Sequence, residues 1–276
     1  MKFVLMRFCS PCTSVFSSKP FKFVVEDKPF YIHESLISRT SAPLGSMITG
    51  HMKEAQQGFA VLSDVTESTF ARFVSWLYGK DYTAASFTTL NGDASSAEAS
   101  RTPKRESIDD DWNFSSVKKK KKKKGISVRT ALKEKFITWD DDEYDVQPVV
   151  VRSNRASDED FTDVFLSHAQ LYVFAEKYDV QELKHLALRK LRHTLASFTL
   201  YRQRLEDVLT LVRYVYAETA RDGRGKEDMR SMLMFYVSTE MDLFEEHGGF
   251  KDLLTDDPEM LSDFLAVFAT RINMSP

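Results

Sequence analysis

The sequence predicts an α+β fold, and three observations carry the prediction. Short aromatic and β-branched runs are confined to residues 21–62. Apolar residues at helical period fill most of the remainder, and a polar tract at 83–160 separates helices that lack an apolar partner on their own side of it. With 276 residues, 42% of them hydrophobic and 12% aromatic, the chain can bury a sizeable core in one or two domains.

The elements follow in order. "FKFVV" and "PFYIH", separated by the polar "EDK", read as a β-hairpin. "ESLISRT" forms a short amphipathic turn. Ser41 then caps "APLGSMIT", with Pro43 in the first turn, Gly50 after the end, and Leu44, Met47 and Ile48 facing inward. "FAVL" is one more short strand. The helix after it has Thr66 as N-cap and Glu67 in its first turn. Phe70, Phe73, Val74 and Leu77 line its apolar face, and Gly79 ends it.

From 83 to 160 the composition changes. The tract as a whole carries as many basic as acidic residues, in separated blocks that include "NGDASSAEAS", "IDDD", a run of seven lysines and "WDDDEYD", with few apolar positions at any period. The tract reads as a mostly disordered insertion. Such a composition buries too little apolar surface to offset the entropy of ordering, so excision of residues 84–157 is expected to leave the fold intact. Closure entropy grows only logarithmically with loop length, which makes an insertion this long tolerable.

Helical order resumes at residue 161. A first helix over 162–178 is apolar on several sides, as a centrally buried helix is. Asp179 is expected to cap a second, with Glu182 at the capping-box position and Leu183, Leu186, Ala187, Leu191 and Leu195 along one stripe. The economical partner for this pair is the helix ending at Gly79. Beyond residue 195, "RQRLEDVLTLVRYVYAET" is a further helix, and "EDMRSMLMFYVSTEMDLFEEHGGF" is another that Gly248 and Gly249 terminate. The last, "DDPEMLSDFLAVFATRI", has Asp257 as N-cap and Pro258 at the first helical position. The expected organisation is a flexible arm at 1–18, a domain at 19–195 interrupted at 83–160, and a helical extension at 196–276.

With the tract removed, a set of residues comes together: Phe30 and His33 in "FYIH", Leu36, Ser41, "MKE" at 52–54, Asp64 and Val65, Phe70, "WLYGKDY", and "YVFAEKYDVQELK". This order and these residues resemble the BTB/POZ domain, in the style of fungal BTB proteins. The resemblance implies a short mixed sheet flanked by helical hairpins, followed by an all-α extension. It also implies an adaptor or scaffold without enzymatic activity. In that family a hydrophobic-x-Glu stretch contributes to docking on cullin-type ubiquitin ligases, and Met52, Lys53 and Glu54 fit that pattern. A self-associating BTB scaffold with a nuclear or transcription-related role is the alternative.

Charge and chemistry narrow the function classes further. The net charge of -3 gives the whole chain no bias toward nucleic acid or anionic membranes. Only Cys9 and Cys12 are present, which fits a reducing compartment, cytoplasmic or nuclear. Their C-x-x-C spacing lacks the second pair that a zinc site needs. "MKFVLMRF" is broken by Arg7 and Pro11, so neither a signal peptide nor a membrane anchor is expected. His33 is expected to end a strand in a buried hydrogen bond. The remaining histidines show no metal-ligand spacing, and no phosphate-binding or nucleophile motif occurs, so no cofactor or metal is expected. The run Lys118, Lys119, Lys120, Lys121, Lys122, Lys123 and Lys124 is a candidate nuclear-targeting element. It lacks the alternating aromatics that would stack bases, so the expected partners are proteins: a cullin or a second copy of the chain.

Overall fold

A computed structural model describes residues 17–50, 52–90, 128–137, 149, 151–220 and 227–273. Strands β1 (Pro20–Val25) and β2 (Lys28–His33) pair antiparallel, with Phe21 opposite Ile32 and Phe23 opposite Phe30. The turn between them places Glu26 and Asp27 at φ 47° and 66°. Two successive left-handed residues give the turn the twist that antiparallel strands need. Glu26 gains from that strained position, because its carboxylate accepts a hydrogen bond from the Glu67 N–H at 2.8 Å, at the start of the helix that follows the sheet.

Helices α1 (Glu34–Thr40), α2 (Ala42–Thr49) and α3 (Lys53–Gln57) make the crossover that parallel pairing requires, and β3 (Phe59–Val61) then lies parallel to β1. The sheet is mixed, in the order β2-β1-β3. Its inner face buries Phe21, Phe23, Val25, Ile32 and Ala60 against Ile37, Leu44, Ile48 and helix α4 (Glu67–Gly79). Ser41 caps α2 as the sequence predicts, accepting from the Leu44 N–H at 3.1 Å. Its hydroxyl also donates to the Tyr178 carbonyl at 2.6 Å, a bond across 137 positions of sequence. Thr66 likewise caps α4, accepting from the Thr69 N–H at 3.3 Å.

Helices α6 (Thr162–Lys177) and α7 (Gln181–Ser197) close this core and open another. Leu171, Phe174, Ala175 and Leu183 belong to the sheet core, where Phe174 lies 4.8 Å from the Phe73 ring. Phe165, Ala169, Tyr172, Ala187, Leu191 and Leu195 belong to a helical core shared with α8 (Leu205–Glu218) and α9 (Asp228–Thr239). Helices α10 (Met241–Phe244), α11 (Gly248–Asp256) and α12 (Pro258–Asn273) complete that core. Leu195, Phe198 and Leu205 all lie within it, so the packing runs without a break across the boundary expected at 195/196.

Three expectations change. The tract at 83–160 contains ordered pieces. Strand β4 (Thr88–Thr89) pairs with β5 (Glu159–Asp160), Phe87 stacks on Phe161 at 5.7 Å, and helix α5 (Val128–Ile137) buries Leu132 and Phe136 in the helical core. Two-residue strands and a single apolar i, i+4 pair are too short to register as a period, and tertiary contacts supply their order. The remainder, 91–127, 138–148 and 150, lies outside the described residues. Asp179 does not cap α7. It sits at φ 51°, Val180 holds the N-cap position, and the Asp179 carboxylate accepts instead from the Gln181 side chain at 2.8 Å. Gly248 and Gly249 do not terminate a helix, because α9 has ended at Thr239 and the two glycines open α11. A Cβ on Gly249 would come within 2.9 Å of a Glu206 carboxylate oxygen, the end of a half-exposed side chain that can move aside.

Because α6 belongs to both cores, Phe70→Ala in the sheet core and Leu191→Ala in the helical core should lower one common unfolding transition. Each should cost about 2–5 kcal/mol in urea titrations. Two separate transitions would show the cores to be independent. The base of the insertion is testable at Asn154, whose buried amide donates to the Thr199 carbonyl at 2.8 Å and accepts from the Thr199 N–H at 2.7 Å. Asn154→Ala leaves both backbone groups without that partner and should cost roughly 1–3 kcal/mol. For the same reason excision of 84–157 should lower the melting temperature, against the expectation from sequence.

Candidate interaction surfaces

The residues of the "MKE" stretch lie together at the start of α3. Met52 occupies the N-cap position in extended geometry, and its carbonyl accepts from the Gln56 N–H at 3.3 Å. Its side chain is 51% exposed. Lys53 points to solvent, while Glu54 is half-buried in the first turn, where the positive end of the helix favours a carboxylate. Gly58 ends α3 at φ 76°, returning its N–H to the Glu54 carbonyl at 2.9 Å, and this left-handed stop turns the chain directly into β3. An exposed apolar side chain thus lies two positions before a half-buried acidic one, on a short helix that ends in a left-handed turn.

A second surface was not singled out in the sequence. The register sets Tyr31, Lys22 and Phe59 in one row across the outer face of the sheet, and Pro29, Val24 and Val61 in the next. Tyr31 and Val61 remain 63% and 60% exposed. The strands are apolar on both faces, a pattern that hides the usual alternation and is its own signal: a strand with one solvated face carries polar residues there.

The positions with possible chemistry resolve into structural roles. His33 Nδ1 lies 2.8 Å from the Tyr78 hydroxyl, and its N–H donates to the same oxygen at 3.3 Å. The expected bond is therefore present, but at a half-exposed position and not in the interior. His185 and His193 lie on α7, and among the described residues no group of three or more His, Cys, Asp or Glu is placed to hold a metal. Cys9, Cys12 and the run Lys118–Lys124 lie outside the described residues. No described helix is long and apolar enough to cross a membrane.

A polar cleft of about 300 Å³ opens between α4 and α6, lined by Thr66, Ser68, Arg72, Asp163, Ser167 and Gln170 among others. Burial lowers the pKa of the Arg72 guanidinium, whose Nε donates to the Thr83 carbonyl at 3.2 Å. The Ser167 hydroxyl donates to the Val164 carbonyl and accepts from the Ala85 N–H, and that of Ser68 pairs with Thr66. These bonds give neither serine a general base.

Two buried groups with ordinary pKa values below 7 are shifted by their surroundings. Asp207, desolvated at the start of α8, accepts from the Phe161 N–H at 2.9 Å and has its carboxyl pushed up to about 6. His168, inside α6, lies 2.7 Å from the Tyr82 hydroxyl, and burial followed by the charges of Lys190 and Arg72 lowers its imidazole to about 3. The imidazole is therefore neutral in the fold and fastens the entry to the insertion onto α6.

The two groups bend stability in opposite directions. A depressed histidine stabilises the fold above its unfolded pKa of 6.5, and that contribution is lost as pH falls toward 3. A raised carboxyl favours the fold at low pH, and that contribution is lost as pH rises from 3.8 to about 6. Comparing the wild type with His168→Gln isolates the first. The wild type should lose on the order of 2 kcal/mol relative to the variant between pH 6.5 and pH 4.5, read from denaturant titrations. A difference independent of pH would mean that His168 titrates in the fold as it does in the unfolded chain.

No protein-family model matches the chain, and no curated protein is similar to it.

Proposed function

We propose that the chain is a non-enzymatic protein-interaction module of the BTB/POZ type, an adaptor or scaffold acting in the cytoplasm or nucleus. The observation that carries this reading is the Met52–Glu54 edge: an exposed apolar residue two positions before a half-buried glutamate, on a short helix leading into a mixed three-stranded sheet. Such a pair has the form of an interface anchor, with apolar area for affinity and a charge for orientation. The partner it fits best is a cullin-type ligase subunit. The run Lys118–Lys124 would serve nuclear targeting.

A second reading is favoured by a different observation. The outer sheet face, with Tyr31 and Val61 open, suits self-association, in which the same patch on two copies meets across a two-fold axis. The adaptor and the self-associating scaffold make different demands on the surface. The first needs Met52 and Glu54, and the second needs Tyr31 and Val61.

The double change Met52→Ala with Glu54→Lys should abolish co-purification with a cullin while leaving the melting temperature within a few degrees of wild type. Loss of an interface hot spot costs about 2 kcal/mol or more of binding, roughly thirtyfold in affinity, and little folding energy when the groups lie at the surface. If the variant still recovers the cullin, or the wild type recovers none while light scattering shows a stable dimer that Tyr31→Asp disperses, the scaffold reading replaces the adaptor.

A further inference from the structure

Exposure separates one methionine from the rest. Among the described methionines Met52 alone is exposed, at 51%. Met229, Met232, Met234 and Met260 lie in the helical core at 2% exposure or less, and Met47 and Met241 are half-buried against the sheet core and the helical core. The residues that follow Met52 do not enclose it: Lys53, Gln56, Gln57 and Gly58 are themselves exposed, and Glu54 and Ala55 are half-buried. Met1, Met6 and Met274 lie outside the described residues.

Hydroperoxides oxidise a thioether in a two-electron step, and in a folded protein the rate follows access to the sulfur. A sulfur lone pair attacks one peroxide oxygen, the O–O bond breaks, an S=O bond forms and, with hydrogen peroxide, water leaves. The product is a sulfoxide, a polar acceptor where an apolar group stood. Position decides what that change does. In the helical core a sulfoxide would be a polar group without a partner and would disrupt the packing. At Met52 it stays in water and costs the fold little. The edge with Glu54 is altered all the same, because its affinity derives from apolar area and a sulfoxide has to shed bound water before a partner can cover it.

We propose that Met52 is a reversible oxidation site, at which a hydroperoxide turns off binding through the Met52–Glu54 edge. The site itself follows from exposure, and its effect on binding rests on the adaptor reading above. Reversal belongs to methionine sulfoxide reductases, one for each sulfoxide epimer. Two thiols supply the electrons and become a disulfide, the S=O bond breaks, and the oxygen leaves as water. The exposure that admits the oxidant also admits the reductase, so both steps take place on the folded chain.

The test treats the full chain with graded hydrogen peroxide, stops the reaction with catalase and maps oxidation by tandem mass spectrometry. Met47 and Met52 share the tryptic peptide between Arg39 and Lys53, so the two are compared within one fragment. Met52 should gain oxygen about tenfold or more faster than Met229, Met232, Met234 and Met260, and faster than Met47, a spread that disappears in concentrated urea. Both reductases together, with dithiothreitol, should restore Met52 in the folded chain. Co-purification with a cullin then reads the effect on the edge. The oxidised chain should recover about a tenth or less of what the untreated chain recovers, and a Met52→Leu chain, compared with itself before and after peroxide, should show no change. Equal oxidation of Met52 and the buried methionines in the folded chain overturns the proposal, as does a Met52 sulfoxide that the reductases leave in place, or undiminished recovery by the chain oxidised at Met52. Recovery of no cullin by the untreated wild type is a different result: it removes the adaptor reading, and the mass map alone then decides the oxidation site.

Discussion

Helix α6 has to be apolar on two opposite sides at once, and the rest of the structure depends on that requirement. Toward the sheet it offers Leu171, Phe174 and Ala175, and toward the bundle Phe165, Ala169 and Tyr172. Neither core is closed without it. A short three-stranded sheet with helices on its inner face buries too little to be stable unless something covers the exposed side of α4, and the Phe70–Phe73–Phe174–Tyr178 ring contacts provide that cover. The few polar side chains on α6 are correspondingly committed. Ser167 and His168 are both buried, and both bond to the chain leading into the insertion, at Ala85 and Tyr82. A polar group inside such a helix is tolerable only when paired, so the helix fixes where the insertion begins as well as where the two cores meet.

The bundle is then fastened by a small number of buried charges. Arg230 is nearly enclosed. Its guanidinium donates to the Tyr216 and Thr219 carbonyls at the end of α8, to the Thr219 hydroxyl at 2.9 Å, and to Glu259 on α12 at 2.6 Å, while lying over the Tyr216 ring. One side chain thus satisfies the carbonyls that a helix end leaves open and ties three helices together. Glu227 does similar work at the start of α9, accepting from the Arg230 N–H at 2.6 Å and from the Tyr172 hydroxyl of α6 at 2.5 Å. Removing one partner of such a set leaves another buried charge unpaired, which costs far more than an exposed ion pair such as Arg202–Glu246 contributes.

What the sequence made legible follows from how local each signal is. Ser41, Thr66 and Asp257 are caps that bond within three residues, and all three are found as read. The hairpin and the long helices carry enough apolar periodicity to declare themselves. Asp179 misled because its side chain bonds two residues ahead, to Gln181, in a left-handed turn that the identity of the residue alone does not distinguish from a cap. The outer sheet face was hidden for a different reason: Val24, Tyr31 and Val61 look like core residues to any period-based reading, and only the one-sided burial of the sheet reveals that they face outward. Of the candidate edge, the residues were legible and their exposure was not, because exposure at Met52 depends on where α2 and β3 leave the chain.

The insertion shows how weak local signals become structure. Its base is sealed: β4 and β5 pair, the Leu90 N–H donates to the Asp158 carbonyl at 3.0 Å, and Asn154 is bonded to Thr199. Sealing the base fixes the closure cost once, and because that cost rises by only about 0.6 kcal/mol for each doubling of length, the tract can be long without unfolding its host. Docking α5 divides the closed loop in two and adds a second closure, together with the ordering of ten residues. Against these stand the burial of Leu132 and Phe136, worth about 1.5–3 kcal/mol each, and a half-exposed ion pair with a buried carboxylate. By these magnitudes the packing of two side chains does not by itself offset the ordering of ten residues, so the intrahelical hydrogen bonds that α5 completes against the bundle have to contribute as well. Burial is what separates the two helices: α6 fills two opposite faces with apolar side chains, whereas α5 offers a single i, i+4 pair to one.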